Sequence, residues 1–263
     1  MFKGFNLEGF DEGFIKPKYR AELIERGTTV TAANQADVQR TLATIATNKA
    51  VLDGAKIQES WFPQVTADVF LSHSHSNEDL ILMLAGWLDD RFGLKSFVDS
   101  AIWGYAGTLL RTIDDKYCWQ RESETYNYQL RNKSTSHVHM MLTTALGMMI
   151  HKTECLLFVN TPEAIATSEV VAGPQTYSPW IYAELTMAGI VEEVEPDRLN
   201  EKLMKFAAKG MITENDEWDG VLYTIRHLDR LQRITRQTLH DWGNKCEVRG
   251  EEALDVFYEI AAE

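Results

Sequence analysis

Trp180 and Glu184 stand four residues apart in the run Tyr177-Ser178-Pro179-Trp180-Ile181-Tyr182-Ala183-Glu184-Leu185. Positions i and i+4 share one face of a helix. Pro179 after Ser178 marks where such a helix starts. The pairing sets an indole plane beside a lone carboxylate, a combination that holds a ring and engages a sugar hydroxyl. The competing reading of Glu184 is a solvated helix residue paired with a nearby Lys or Arg.

A lone carboxylate suits one reaction well, the cleavage of an N-glycosidic bond to a leaving group that is already cationic. Departure then needs no general acid, and the transition state resembles an oxocarbenium ion. A carboxylate beneath the ribose stabilises that charge by several kcal/mol in a dry pocket. Nicotinamide in NAD⁺ is such a leaving group. Other catalytic sets are missing from the sequence. There is no GxSxG, no GxGxxG and no GxxxxGK[ST], and none of Cys118, Cys155 and Cys246 has a matching base.

Other candidates lie upstream. Ser72-His73-Ser74-His75-Ser76 follows the apolar run Val69-Phe70-Leu71. Its hydroxyls, with the free N–H groups of a following helix, suit a phosphate. Alternatively, Ser76 with Asp79 is a capping box and nothing more. The pairs His73/His75 and His137/His139 invite a metal reading, yet no third ligand has clear spacing, so no metal is expected. Trp103 and Tyr105 sit in a segment flanked by Gly104 and Gly107. They either bind a ligand from a loop or fill the core.

The elements that must position these residues read as alternating strands and helices. Val65 to Leu71, Lys95 to Val98 and Cys155 to Val159 are short apolar runs that suit strands buried on both faces of a parallel sheet. Leu80, Leu84, Leu88 and Phe92 form a helical stripe closed by Gly93, and Leu109 to Tyr117 and Val138 to Ile150 read as further helices. The expected fold is therefore α/β with a central parallel sheet. Ligands of such sheets bind at the carboxyl ends of the strands. That rule gathers Ser72 to Ser76, the segment after Asp99, and the helix of Trp180 and Glu184.

The remainder is less patterned. Residues 1–30 read as an irregular Gly- and Phe-rich arm, followed by a helix with Val38, Leu42, Ile45 and Leu52 near heptad spacing. Residues 119–136 read as a polar insertion. Ala188 to Val194 is taken as a fourth strand, Val221 to Ile225 as an edge strand, and Glu251 to Ala262 as a terminal helix. The 263 residues carry a formal net charge of −13 with no basic stripe, which argues against nucleic acid as a partner. No apolar stretch approaches a membrane span, no secretory h-region opens the chain, and three scattered cysteines suit a reducing cytoplasm.

Together these residues resemble a bacterial TIR (Toll/interleukin-1 receptor) domain over about 65–245. Asp68-Val69-Phe70-Leu71-Ser72-His73 resembles the family's opening strand, and Phe97-Val98-Asp99-Ser100 with the following loop its second strand and BB loop, here 99–108. Ser178-Pro179-Trp180 to Glu184 resembles the W-x-x-x-E segment of enzymatically active members. Tyr223 to Trp242 resembles a C-terminal segment of bacterial ones. The resemblance implies a flavodoxin-like fold of about five parallel strands and an NAD⁺-cleaving activity that yields ADP-ribose or a cyclic product. It implies Glu184 as catalytic residue, with Trp180, Ser72, His73, Ser74, Asp99, Trp103 and Tyr105 as the substrate surround. It further implies NAD⁺ as substrate rather than cofactor, self-association through the BB loop, a downstream effector or sensor protein as partner, and a role in anti-phage defence. A non-catalytic TIR adaptor is the alternative. Residues 1–64 then form a separate oligomerisation or sensing element, and 246–263 a helix packed on the domain.

Overall fold

The computed structural model describes residues 1–35, 52–103, 106–166, 173–196, 198, 223–225 and 227–262. The heptad-like residues Val38, Leu42 and Ile45 lie outside the described residues, as does Tyr105.

In chain order the elements are β1 (Lys3–Glu8), α1 (Pro17–Gln35), α2 (Gly54–Trp61), β2 (Val69–Ser72), α3 (Glu78–Phe92), β3 (Ser96–Phe97), α4 (Asp99–Trp103) and α5 (Ala106–Tyr117). A hairpin follows, β4 (Trp119–Gln120) with β5 (Thr125–Tyr126), then α6 (Tyr128–Lys152) and β6 (Cys155–Asn160). The C-terminal part holds β7 (Gln175–Thr176), α7 (Pro179–Ile190), β8 (Tyr223–Thr224), β9 (Gln232–Thr235), α8 (Arg236–Lys245) and α9 (Glu252–Ala262).

Five strands form one parallel sheet in the order β3-β2-β6-β1-β9. Helices cover both faces, so the α/β, flavodoxin-like layering expected from the alternation is present. Successive strand residues point to opposite faces, and the two cores follow from that. Phe5, Leu7, Val69, Leu71, Leu157 and Val159 enter one core with α1, α3, α8 and α9. Phe70, Phe97, Leu156 and Phe158 enter the other with α2, α5, α6 and α7. This two-sided burial is why β2 and β6 read as unbroken apolar runs.

Several expectations are corrected. Residues 1–30 are not an irregular arm. Lys3–Glu8 is a full strand of the sheet, registered against Cys155–Asn160 on one side and Gln232–Thr235 on the other. The described part of residues 1–64 is thus built into the domain, β1 in its sheet and α1 and α2 on its two cores. Counted from Val69, the strands fall in the flavodoxin order second, first, third, and the N-terminal strand takes the fourth place. Ala188 to Val194 holds no strand, because α7 runs through it to Ile190. Tyr223–Thr224 pairs antiparallel with Gln175–Thr176 in a separate ribbon, and the true edge strand is Gln232–Thr235. The polar segment 119–136 resolves into the β4–β5 hairpin and the first turns of α6. The terminal helix is as expected, with Phe257 in the core against Trp242.

Helices α1 and α3 cross in close contact at paired glycines. A Cβ on Gly27 would stand 1.9 Å from the Leu82 carbonyl oxygen, and one on Gly86 1.9 Å from that of Leu23. Only glycine permits that approach, so α1 is keyed onto the helix that follows the β2 loop.

Candidate active site at the carboxyl edge of the sheet

Val69, Phe70 and Leu71 bury strand β2 between β3 and β6, and it delivers Ser72 at its carboxyl end. Strand β3 delivers Asp99 at the start of α4. Helix α7 starts where the sequence marks it. The Ser178 side chain accepts the Ile181 N–H at 3.3 Å, and Pro179 stands at the first helical position. Ile181, Leu185 and Ala188 then anchor the helix in the core, and Glu184 is carried in with them.

Glu184 is only 3% exposed. The Ser72 hydroxyl donates a 2.6 Å hydrogen bond to its Oε2, between residues 112 apart in sequence. Burial holds the Glu184 carboxyl well above the usual carboxylate range, and the negative charge of Asp99 pushes it further up. The Ser72 hydrogen bond acts in the opposite direction. The solvated-helix reading of Glu184 therefore fails: the side chain lies inside the fold, in contact with the strand-end cluster.

His73 is also buried, and burial lowers its pKa against the opposing pull of Asp99. Its Nδ1 lies 3.2 Å from the Leu71 carbonyl oxygen, its Nε2 3.5 Å from Ser100 Oγ. Ser72, His73, Asp99 and Glu184 thus assemble as one cluster, the convergence expected at the carboxyl edge. Two acidic groups meet there, with one hydroxyl aimed at the more deeply buried of them. Such a cluster favours an entering cation and disfavours an anion.

The other candidates fall elsewhere. Trp180 is half-buried and stands edge-on to His139 of α6, with ring centroids 5.2 Å apart, so its ring lines the α6–α7 seam. Ser74 is half-buried ahead of a short 3-10 turn and makes no side-chain cap bond. Trp103 takes the core-filling role, which corrects its placement in a ligand loop. It is buried, donates from Nε1 to the Pro63 carbonyl at 3.0 Å and packs edge-on against Phe97 and Phe62. The Gly-flanked loop expected there is instead α4 and α5, with only Gly104 and Tyr105 between them outside the described residues.

The Ser76–Asp79 capping box does not form either. Asn77 is the N-cap residue of α3 without a side-chain cap bond. Its amide instead links across the sheet edge, accepting from Thr161 Oγ1 at 2.7 Å and donating to Glu163 Oε2 at 3.3 Å. A cleft of about 590 Å³ opens beside this link, between the segments that leave β1, β2 and β6. It borders the cluster through His75, but Glu184 is not among its walls. No sequence signal marks the Asn77 link, because its partners come from the segment that leaves β6, 84 and 86 residues away. Among the described residues there is no group of three or more His, Cys, Asp or Glu placed to hold a metal ion, and no helix is long and apolar enough to cross a membrane.

No family model, curated protein or solved structure matches this chain.

Proposed function

We propose that the protein is an NAD⁺ nucleosidase of the TIR type, with Glu184 as its catalytic carboxylate. The observation that carries the reading is a buried carboxyl at the carboxyl edge of a parallel sheet, held by the hydroxyl at the end of β2 beside a second acid. The approach of the nicotinamide pyridinium favours the ionised form of Glu184. The C1′–N bond then breaks with both electrons going to the ring nitrogen, which releases neutral nicotinamide. Glu184 steadies the positive charge left on the ribose. Attack by water, with loss of one proton, gives ADP-ribose; attack by an adenine nitrogen gives a cyclic product. His73 and Asp99 shape the approach to the ribose. Self-association through residues 99–108, a partner effector or sensor, cytoplasmic location and a role in anti-phage defence belong to the same proposal.

The test is nicotinamide release by full-length protein at high concentration with a crowding agent, followed by chromatography. The isosteric Glu184→Gln variant is expected to lose roughly 10²- to 10³-fold, the scale of removing one preorganised electrostatic group. Full activity in that variant overturns the assignment.

One observation favours a second reading, a non-catalytic adaptor acting through TIR–TIR assembly. In the single chain Glu184 is closed off and the neighbouring cleft does not reach it. Titration with NAD⁺ separates the two, because an adaptor shows neither binding nor turnover at any protein concentration.

A further inference from the structure

We infer that Ser72 is the positioning residue of Glu184, fixing Oε2 so that Oε1 is the oxygen offered to a ligand. This rests on the nucleosidase reading for its kinetic consequences, but not for its geometry. Ser72 is fully buried and ends the interior strand β2, paired on both sides, whose register against β6 is set at four positions. Its Oγ therefore sits on a rigid element, not on a loop. Glu184 approaches from α7 on the opposite branch of the chain, and the 2.6 Å O–H···O contact is short enough to be charge-assisted when the carboxylate is ionised. A glutamate has three side-chain torsions. Without a fixed donor its head turns freely within the space available, and a misplacement near 1 Å is enough to cost about 10²-fold in a reaction that depends on alignment.

The hydroxyl has a second effect. It stabilises the ionised form against two opposing influences, burial and the charge of Asp99 at the start of α4. Among the described residues the titratable groups at the pair are Asp99 from α4 and His73 from the β2 exit, and His73 is itself held towards its neutral form by burial. Among the described residues no positive side chain offsets the two acids, so the hydroxyl is the contact that favours charge on Glu184. Removing it shifts the balance to the protonated, inactive form. The role differs from substrate contact, since the Ser72 proton is already committed to Glu184.

The experiment compares wild type, Ser72→Ala and Ser72→Thr in the full-length chain by two measurements. The first is the pH profile of kcat for nicotinamide release. The second is the carboxyl titration of Glu184, taken by infrared difference spectroscopy against Glu184→Gln. Ser72→Ala is expected to lower kcat about tenfold near neutral pH with little change in KM. Its acid limb moves to higher pH, and Ser72→Thr restores both. A uniform loss at every pH with no movement of the acid limb means a merely structural role and overturns the inference. If wild type releases no nicotinamide, the nucleosidase reading fails on its own. The infrared titration then decides the inference: movement to higher pH in Ser72→Ala upholds it, and an unmoved titration overturns it.

Discussion

Gly86→Ala probes whether the N-terminal segment is built into the domain. The added methyl falls 1.9 Å from the Leu23 carbonyl oxygen, 2.8 Å from its carbon and 2.9 Å from the Gly27 nitrogen. All three are backbone atoms, so no side chain can swing aside. Reaching ordinary contact demands that α1 and α3 part by about 1.5 Å, given optimal separations of roughly 3.5 Å or more. That opening spreads along the seam, and a gap near 1 Å forfeits about a quarter to a half of each dispersion contact. Overpacking of this kind costs about 1–3 kcal/mol, and the rigid clash places it at the upper end. Against it stands the helix propensity of alanine over glycine, about 1 kcal/mol. The expected net loss is about 2 kcal/mol, which lowers the unfolding midpoint by roughly 4–8 °C in a domain of this size. Gly107→Ala is the control, because its Cβ meets nothing within 4 Å; it should be neutral or stabilising by up to about 1 kcal/mol. Gly27→Ala should behave like Gly86→Ala, and the double variant should lose less than the sum, since the second methyl enters a gap already opened. Thermal and urea unfolding followed by circular dichroism measure all four. Equal midpoints for Gly86→Ala and Gly107→Ala would refute the crossing and, with it, the integration of α1.

Two further outcomes follow from the burial of single side chains. Glu184 has its folded pKa raised above the ordinary value of 4.5. The native state therefore holds a proton that the unfolded state releases, and the group's contribution to stability is complete below about pH 4.5 and is lost as pH rises through the folded pKa. Glu184→Gln should match wild type in unfolding midpoint at acid pH and exceed it increasingly towards pH 8; a constant difference across that range counts against the buried carboxyl. Trp103→Phe should lower stability by about 1–2 kcal/mol by leaving the Pro63 carbonyl without its donor, while the KM for NAD⁺ stays unchanged; a raised KM with unchanged stability would return Trp103 to the ligand surround.

The site was more legible in the sequence than the sheet that carries it. Ser72, His73, Asp99 and Glu184 were recognisable because strand ends, a Pro-marked helix start and a carboxylate are local signals, and the rule on strand carboxyl ends brings them together. Strand β1 was hidden by its composition. Its Phe5-Asn6-Leu7 centre does alternate, but Asn6 is a buried polar residue whose side chain accepts from Asn160 Nδ2, and Gly4 leaves room for the Leu231 side chain, whose Cδ2 lies 2.5 Å from where a Cβ would be. Neither reason exists without the neighbouring strands. Trp103 misled for the same cause. Flanking glycine suggested a loop, whereas its partners Pro63, Phe62 and Phe97 are supplied by tertiary contacts. The Gly27–Gly86 crossing was silent too, since a helical glycine announces a close approach only when its opposite number is known.

The cluster is a poor solution to a purely structural problem, and this is the physical argument for a cation as its occupant. A carboxyl carried into an apolar helix face by Ile181, Leu185 and Ala188 costs free energy on burial, and a second acid nearby raises that cost. A leucine or glutamine at 184 would serve the packing of α7 better. Asp99 likewise destabilises the ionised state that a nucleophile-free mechanism requires. Both penalties change sign when a positive charge enters: the pyridinium, and then the oxocarbenium ion that succeeds it, turn two mutually repelling acids into a matched pair of anions around one cation. Under the proposed nucleosidase reading, burial and Asp99 favour the protonated carboxyl before NAD⁺ enters, and the arriving cation favours its ionisation. The proposal therefore predicts proton release when NAD⁺ binds in weakly buffered solution, lost in Glu184→Gln; no release from wild type would mean that packing rather than charge put Glu184 where it is.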